Sequence, residues 1–152
     1  MLNPDFRDIL SEFNAKGVEY LLVGAYAVAV HGLPRATGDI DLWIRPTPDN
    51  AKATLLALES FGAPLDLLAP ADFETPDRVV QLGVSPRRVD MLTSIDGVDF
   101  DTAWRDRISV RVDEIDVPTI SLAHLIANKR AVARPQDLAD ADRLTEIASR
   151  HT

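Results

Sequence analysis

Residues 39–45, Asp-Ile-Asp-Leu-Trp-Ile-Arg, alternate strictly between apolar and polar or aromatic side chains. Ile40, Leu42 and Ile44 fall on one side of an extended chain; Asp39, Asp41 and Trp43 fall on the other. Such a segment fits a strand with one face on a core and little else. It also forces two carboxylates onto the same face, with Cα atoms about 6.5 Å apart at a rise of roughly 3.3 Å per residue.

The flanking sequence predicts further elements of both kinds. Residues 4–15 open with Pro4 and Asp5 and place Phe6, Ile9, Leu10 and Phe13 at helical spacing. Residues 18–23 form an apolar run rich in β-branched and aromatic side chains, hence a buried strand that Gly24 breaks. Residues 25–31 predict a short apolar helix that must be buried. A helix over 48–61 is expected to turn Ala53, Leu55, Leu56 and Leu58 inward. Residues 78–84 and 87–95 predict two strands joined by Ser85-Pro86, with a helical turn at 71–74 before them. A short helix at 100–105 and a hairpin around Asp113-Glu114 follow. Ser121 caps a helix to about residue 133. Pro135 opens a last helix to about residue 150, with Leu138, Ala141, Leu144, Ile147 and Ala148 inward. The fold class is α+β: one domain over residues 1–152, a small mixed sheet flanked by helices and ended by a helical pair.

A chain of 152 residues can bury a real core. No apolar run approaches the roughly 18 residues that span a bilayer, and residues 1–8 lack the pattern of a secretion signal. The absence of cysteine excludes disulfides, thiolate metal sites and a cysteine nucleophile. A cytoplasmic protein is the expectation. A net charge of −8 argues against broad, non-specific nucleic-acid binding.

Two carboxylates side by side raise each other's pKa unless a cation neutralises them. Mg²⁺ is a hard cation that takes carboxylate, water and phosphate oxygens. Asp90, in Arg88-Val89-Asp90-Met91-Leu92, lies on another predicted strand. If the two strands are neighbours, three carboxylates converge and could hold two metals for an in-line displacement at phosphorus. Alone, Asp90 serves equally as an ion-pair partner of Arg87 or Arg88. Gly24 ends a strand and leads into a helix start, where free N–H groups favour phosphate and the missing side chain permits close approach.

Leu22-Val23-Gly24-Ala25, then Gly38-Asp39-Ile40-Asp41-Leu42, then Val89-Asp90-Met91 resemble the pattern of the nucleotidyltransferase (DNA polymerase β-like) superfamily. The run from Val23 to Gly32, followed by Arg35-Ala36-Thr37-Gly38-Asp39-Ile40-Asp41, is more closely similar to small bacterial nucleotidyltransferase-like proteins. These in turn are similar to the abortive-infection toxins of type IV toxin–antitoxin pairs. The branch's tail pattern is matched by Lys129, Arg134, Asp137 and Asp140, and the resemblance covers about residues 18–145.

The resemblance implies a nucleotidyltransferase fold. It implies a Mg²⁺-dependent enzyme moving a nucleoside monophosphate from an NTP to a hydroxyl, releasing pyrophosphate. The acceptor would be tRNA, a protein or a small molecule. Asp39, Asp41 and Asp90 would be catalytic and hold one or two Mg²⁺ ions. Gly24 and Ala25 would cradle phosphate, Ala25 standing where the family has Gly or Ser. Arg35, Thr37 and Lys129 are further nucleotide-binding candidates, although Arg35 and Lys129 fit solvated surface roles equally well. Asp137 and Asp140 share a helix face and favour a structural role; His31 and Trp43 favour packing. The alternative function is a toxin–antitoxin component acting mainly by binding a protein partner.

Overall fold

In the computed structural model, which describes residues 2–36 and 38–150, the chain threads two central strands between two helical layers. Helix α1 (Pro4–Ala15) is capped by Asn3, whose side chain accepts from the Phe6 N–H. Strand β1 (Tyr20–Val23) runs directly into α2 (Gly24–Val30). Strand β2 (Ile40–Ile44) leads to α3 (Pro48–Phe61) and the single turn α4 (Ala71–Glu74). Strands β3 (Val79–Leu82) and β4 (Val89–Leu92) form a hairpin. Helix α5 (Phe100–Arg105) precedes a second hairpin, β5 (Ile108–Val112) and β6 (Ile115–Thr119). Helices α6 (Leu122–Val132), capped by Ser121, and α7 (Pro135–Arg150) close the chain as the expected helical pair.

The six strands make one mixed sheet in the order β3-β4-β2-β1-β6-β5. β1 and β2 pair antiparallel, whereas β2–β4 and β1–β6 pair parallel. Asn50, buried at the start of α3, accepts from the Glu19 N–H and donates to the Glu19 and Arg45 carbonyls, tying the outer ends of β1 and β2 together.

Period-two alternation splits the sheet into two cores. Tyr20, Leu22, Ile40, Leu42, Ile44, Val89 and Met91 pack under α1, α3 and α4. Leu21, Val23 and Trp43 pack under α5, α6 and α7. Asp41 and Asp90 alternate with the first set, so they face the side of α6 and α7.

Three expectations about packing need correction. Leu56 is 50% exposed; the inward stripe of α3 is Asn50, Ala51, Thr54, Ala57 and Leu58. α1 packs along α3, and small residues there allow closer approach than a row of leucines. Leu138 on α7 is 44% exposed, its place taken by Asp137, Asp140, Ala141 and Leu144. Only Ala27 and Val28 of α2 are fully buried. Among the described residues no helix is long and apolar enough to cross a membrane.

Candidate functional site

The parallel pairing of β2 with β4 sets Asp41 directly beside Asp90 in register. This adjacency was conditional in the sequence, because strands separated by some fifty residues carry no mark of their pairing. Gly24 completes the corner. Its φ is +68°, and a Cβ built there would lie 2.1 Å from Asp41 Oδ2. The β1–α2 turn therefore reaches the carboxylate only because residue 24 has no side chain.

Gly24→Ala is expected to cost roughly 1–3 kcal/mol through backbone strain and the collision with Asp41. Gly17 has nearly the same φ, +70°, with nothing within 4 Å of its virtual Cβ. Gly17→Ala thus measures the strain without the collision. Thermal melts of both variants should place Gly24→Ala well below Gly17→Ala; equal losses would remove the collision from the account.

Asp41 is half-buried and accepts no hydrogen bond among the described residues. Burial, followed by the charges of Asp90 and Asp39, pushes its carboxyl up to about 6 from 3.8. Arg88 and Lys129 act in the opposite sense. Asp39 turns toward the segment after β3, where Oδ1 accepts from the Arg88 N–H (3.0 Å) and Oδ2 from Ser85 Oγ (3.0 Å). Gly38 makes room for that segment: a Cβ there would sit 3.0 Å from the Pro86 carbonyl oxygen. Arg88 grips Asp90 with two donors, Nε to Oδ1 at 2.6 Å and Nη2 to Oδ2 at 3.1 Å, and Nη2 also lies 3.3 Å from Asp39 Oδ2.

Among the described residues no group of three or more His, Asp or Glu side chains is already arranged to hold a metal ion. The three expected ligands are neighbours, but a guanidinium links Asp39 and Asp90. The donor set nevertheless suits a hard divalent cation: oxygen ligands only, carrying excess negative charge, with a cation already standing between two of them. The sequence offers Arg87 or Arg88 as an ion-pair partner of Asp90; the structure selects Arg88, two residues before Asp90 on the same strand face, and adds Asp39 to its contacts.

Arg35 and Lys129 do not reach into open solvent. Arg35 forms a two-point pair with Asp140 (2.8 and 2.6 Å), and Lys129 Nζ lies 3.3 Å from Asp137 and 3.4 Å from Asp140. Arg134 also pairs with Asp137. Both carboxylates are buried, 2% and 1% exposed. The Arg35 hydrogen bonds pull Asp140 down to about 2, and those of Arg134 and Lys129 hold Asp137 below its usual range. The network fastens the loop before β2 to α6 and α7. Thr37 lies outside the described residues.

Beside Gly24 and Asp41 opens a pocket of about 340 Å³, walled by Leu92, Ile95, Asn128 and Val132. This size and mixed lining fall within the range of small-ligand sites. Asn128 donates to the Asp96 carbonyl on its rim. His31 is a hydrogen-bonded packing residue on the Ile120 carbonyl, and Trp43 is buried against Phe100.

The sequence model of a family described as nucleotidyl transferase of unknown function (DUF2204) matches residues 3–152. No curated protein matches the sequence. Among solved structures, a candidate nucleotidyltransferase (TM1012) from Thermotoga maritima superposes with a TM-score of 0.58 at 17% identity, covering 99% of this chain and 96% of that one. The lincosamide antibiotic adenylyltransferase LnuA, bound to lincomycin, gives 0.60 at 17% identity over 97% of this chain and 98% of its own. ANT(2″)-Ia in complex with adenylyl-2″-tobramycin gives 0.54 at 13% identity over 97% of each chain. At these identities the structural likeness speaks for the fold.

Proposed function

The chain belongs to the DUF2204 family of nucleotidyl transferases, and from that premise we propose that it is a Mg²⁺-dependent enzyme transferring a nucleoside monophosphate from an NTP to a hydroxyl acceptor. The observation that carries this reading is the register of Asp41 beside Asp90, with the Gly24 turn packed against Asp41 at the mouth of a pocket. The acceptor oxygen attacks the α-phosphorus, the bond from that phosphorus to the bridging oxygen breaks, and pyrophosphate leaves. Asp90, once released by Arg88, would help take the hydroxyl proton. Asp39, Asp41 and Asp90 would hold the metal, and Mg²⁺ bound there supplies charge neutralisation at the phosphate oxygens. The backbone N–H groups of Gly24 and Ala25 would meet phosphate without help from a hydroxyl. Lys129, fixed by Asp137 and Asp140, adds positive potential felt at Asp41. Arg35 would act by holding its loop through Asp140 rather than by touching phosphate.

The near full-length likeness to two antibiotic adenylyltransferases favours a small-molecule hydroxyl as acceptor over tRNA or a protein side chain. Incubation of the protein with each α-labelled NTP, Mg²⁺ and the three acceptor classes separately should label one class. Label no higher than that from an Asp39→Ala/Asp41→Ala double variant in all three would overturn the reading. One observation favours the alternative, a toxin–antitoxin component acting through a protein partner: Arg88 closes the acidic pair. In that case the double variant would retain a stoichiometric partner and the wild type would transfer no label.

A further inference from the structure

Resting on the metal-dependent reading above, we propose that Arg88 is a resident counter-cation that a divalent ion displaces from Asp39 and Asp90, so that this one side chain sets the protein's metal affinity. Three observations carry it. The guanidinium spans both carboxylates at hydrogen-bond or ion-pair distance, 2.6 and 3.1 Å to Asp90 and 3.3 Å to Asp39. A planar fork engaging a carboxylate at two points is a strong charge-assisted contact, and it uses oxygens that a metal would need. The backbone at Arg88 is fixed on both sides: its N–H donates to Asp39, and its carbonyl accepts from the Ile40 N–H at 3.0 Å. The side chain, by contrast, is 29% exposed. Exchange of guanidinium for metal therefore needs rotamer changes of Arg88 and of Asp39, which gives up the Arg88 N–H and Ser85 Oγ, not movement of the β3–β4 hairpin.

The same contact explains why three acidic side chains on neighbouring strands are not yet gathered about one point. Nη2, the Arg88 N–H and Ser85 Oγ hold Asp39 toward residues 85–88, while the Asp41 carboxylate accepts no hydrogen bond among the described residues. Binding a cation at all three would return Asp39 to Asp41 and leave Arg88 facing solvent.

Mn²⁺ binding to the full chain without nucleotide, measured by titration calorimetry and by the loss of free-ion electron paramagnetic resonance signal, tests this. Arg88→Gln should bind Mn²⁺ at least about ten-fold more tightly than wild type, since the competitor is gone. Arg88→Lys, which keeps the charge but not the fork, should fall between them and serves if the glutamine variant does not fold. In the presence of EDTA both variants should melt below wild type, and Mn²⁺ should raise their melting temperatures more than that of wild type. Equal or weaker Mn²⁺ binding by both variants, with wild type binding normally, would overturn the role of Arg88 alone. No binding by any of the three would overturn it together with the metal-dependent function.

Discussion

Asp41→Asn is expected to make the metal-free protein more stable at pH 7.5 while reducing nucleotidyl transfer by roughly a thousand-fold or more, the equivalent of several kcal/mol of lost charge stabilisation. The two effects share one cause. Burial, followed by the charges of Asp90 and Asp39, pushes the Asp41 carboxyl up to about 6. A carboxyl whose folded pKa lies above its unfolded value, 3.8, binds its proton more tightly in the folded state. The resulting stability is fully present below pH 4 and is lost as pH rises through 6. Above that, the folded chain holds a charge it would rather not carry. The shift corresponds to on the order of 2 kcal/mol after allowance for partial solvent screening. Asn removes the charge and keeps the shape. Melts in EDTA at pH 5 and pH 7.5 should therefore differ less for the variant than for wild type, with the gain at pH 7.5. A variant no more stable than wild type at pH 7.5 would show that Asp41 is not held against its preference.

The site that carries this cost is legible in the sequence only in part. The alternation of residues 39–44 dictates a strand with its carboxylates opposite Ile40, Leu42 and Ile44, and the structure has that strand, because local periodicity follows from the backbone itself; the second core, which buries Trp43 on the carboxylate face, is not in the alternation. The Gly24 turn was equally visible. What periodicity cannot carry is which strands become neighbours: β2 meets β4 in parallel across the intervening α3 and α4, and only that pairing brings Asp90 to Asp41. The choice of Arg88 over Arg87, and its bridge to a second carboxylate, were hidden for a related reason. A basic residue two positions from an acidic one is ordinary on an exposed strand, and only the fold places a second carboxylate, Asp39, within its reach. On α3 and α7 helical phase outranks side-chain size: Thr54 and two aspartates face inward, and the larger apolar Leu56 and Leu138 are exposed. Burial of Asp137 and Asp140 is paid for by cations from three separate segments, one of them Arg35, 105 residues away from Asp140.

Asp140→Asn should be the most destabilising conservative change in the chain. The Asp140 side chain is 2% exposed and answers Arg35 at two points, Lys129 and the Gln136 amide. Removing one member of a buried ion pair strands its partners, at a cost of about 3 kcal/mol, the low end of the usual range because Arg35 keeps some access to water. For a chain of this length that corresponds to a fall in melting temperature of roughly 6–12 °C. The pH dependence runs opposite to that of Asp41. The Arg35 hydrogen bonds hold the folded carboxyl at about 2, below its unfolded value, so the stability it confers is present above pH 4 and is lost as pH falls toward 2. The gap between wild type and Asp140→Asn should accordingly be widest near neutrality and shrink through that acid window. Asp140→Glu, retaining the charge on a longer stem, should recover part of the loss. Because Asp140 ties the loop carrying Arg35 to α7 and steadies Lys129 near Asp41, nucleotide KM should also rise in Asp140→Asn, with kcat less affected. A melting temperature unchanged at pH 7.5 would mean the network is not what binds that loop to the helical pair.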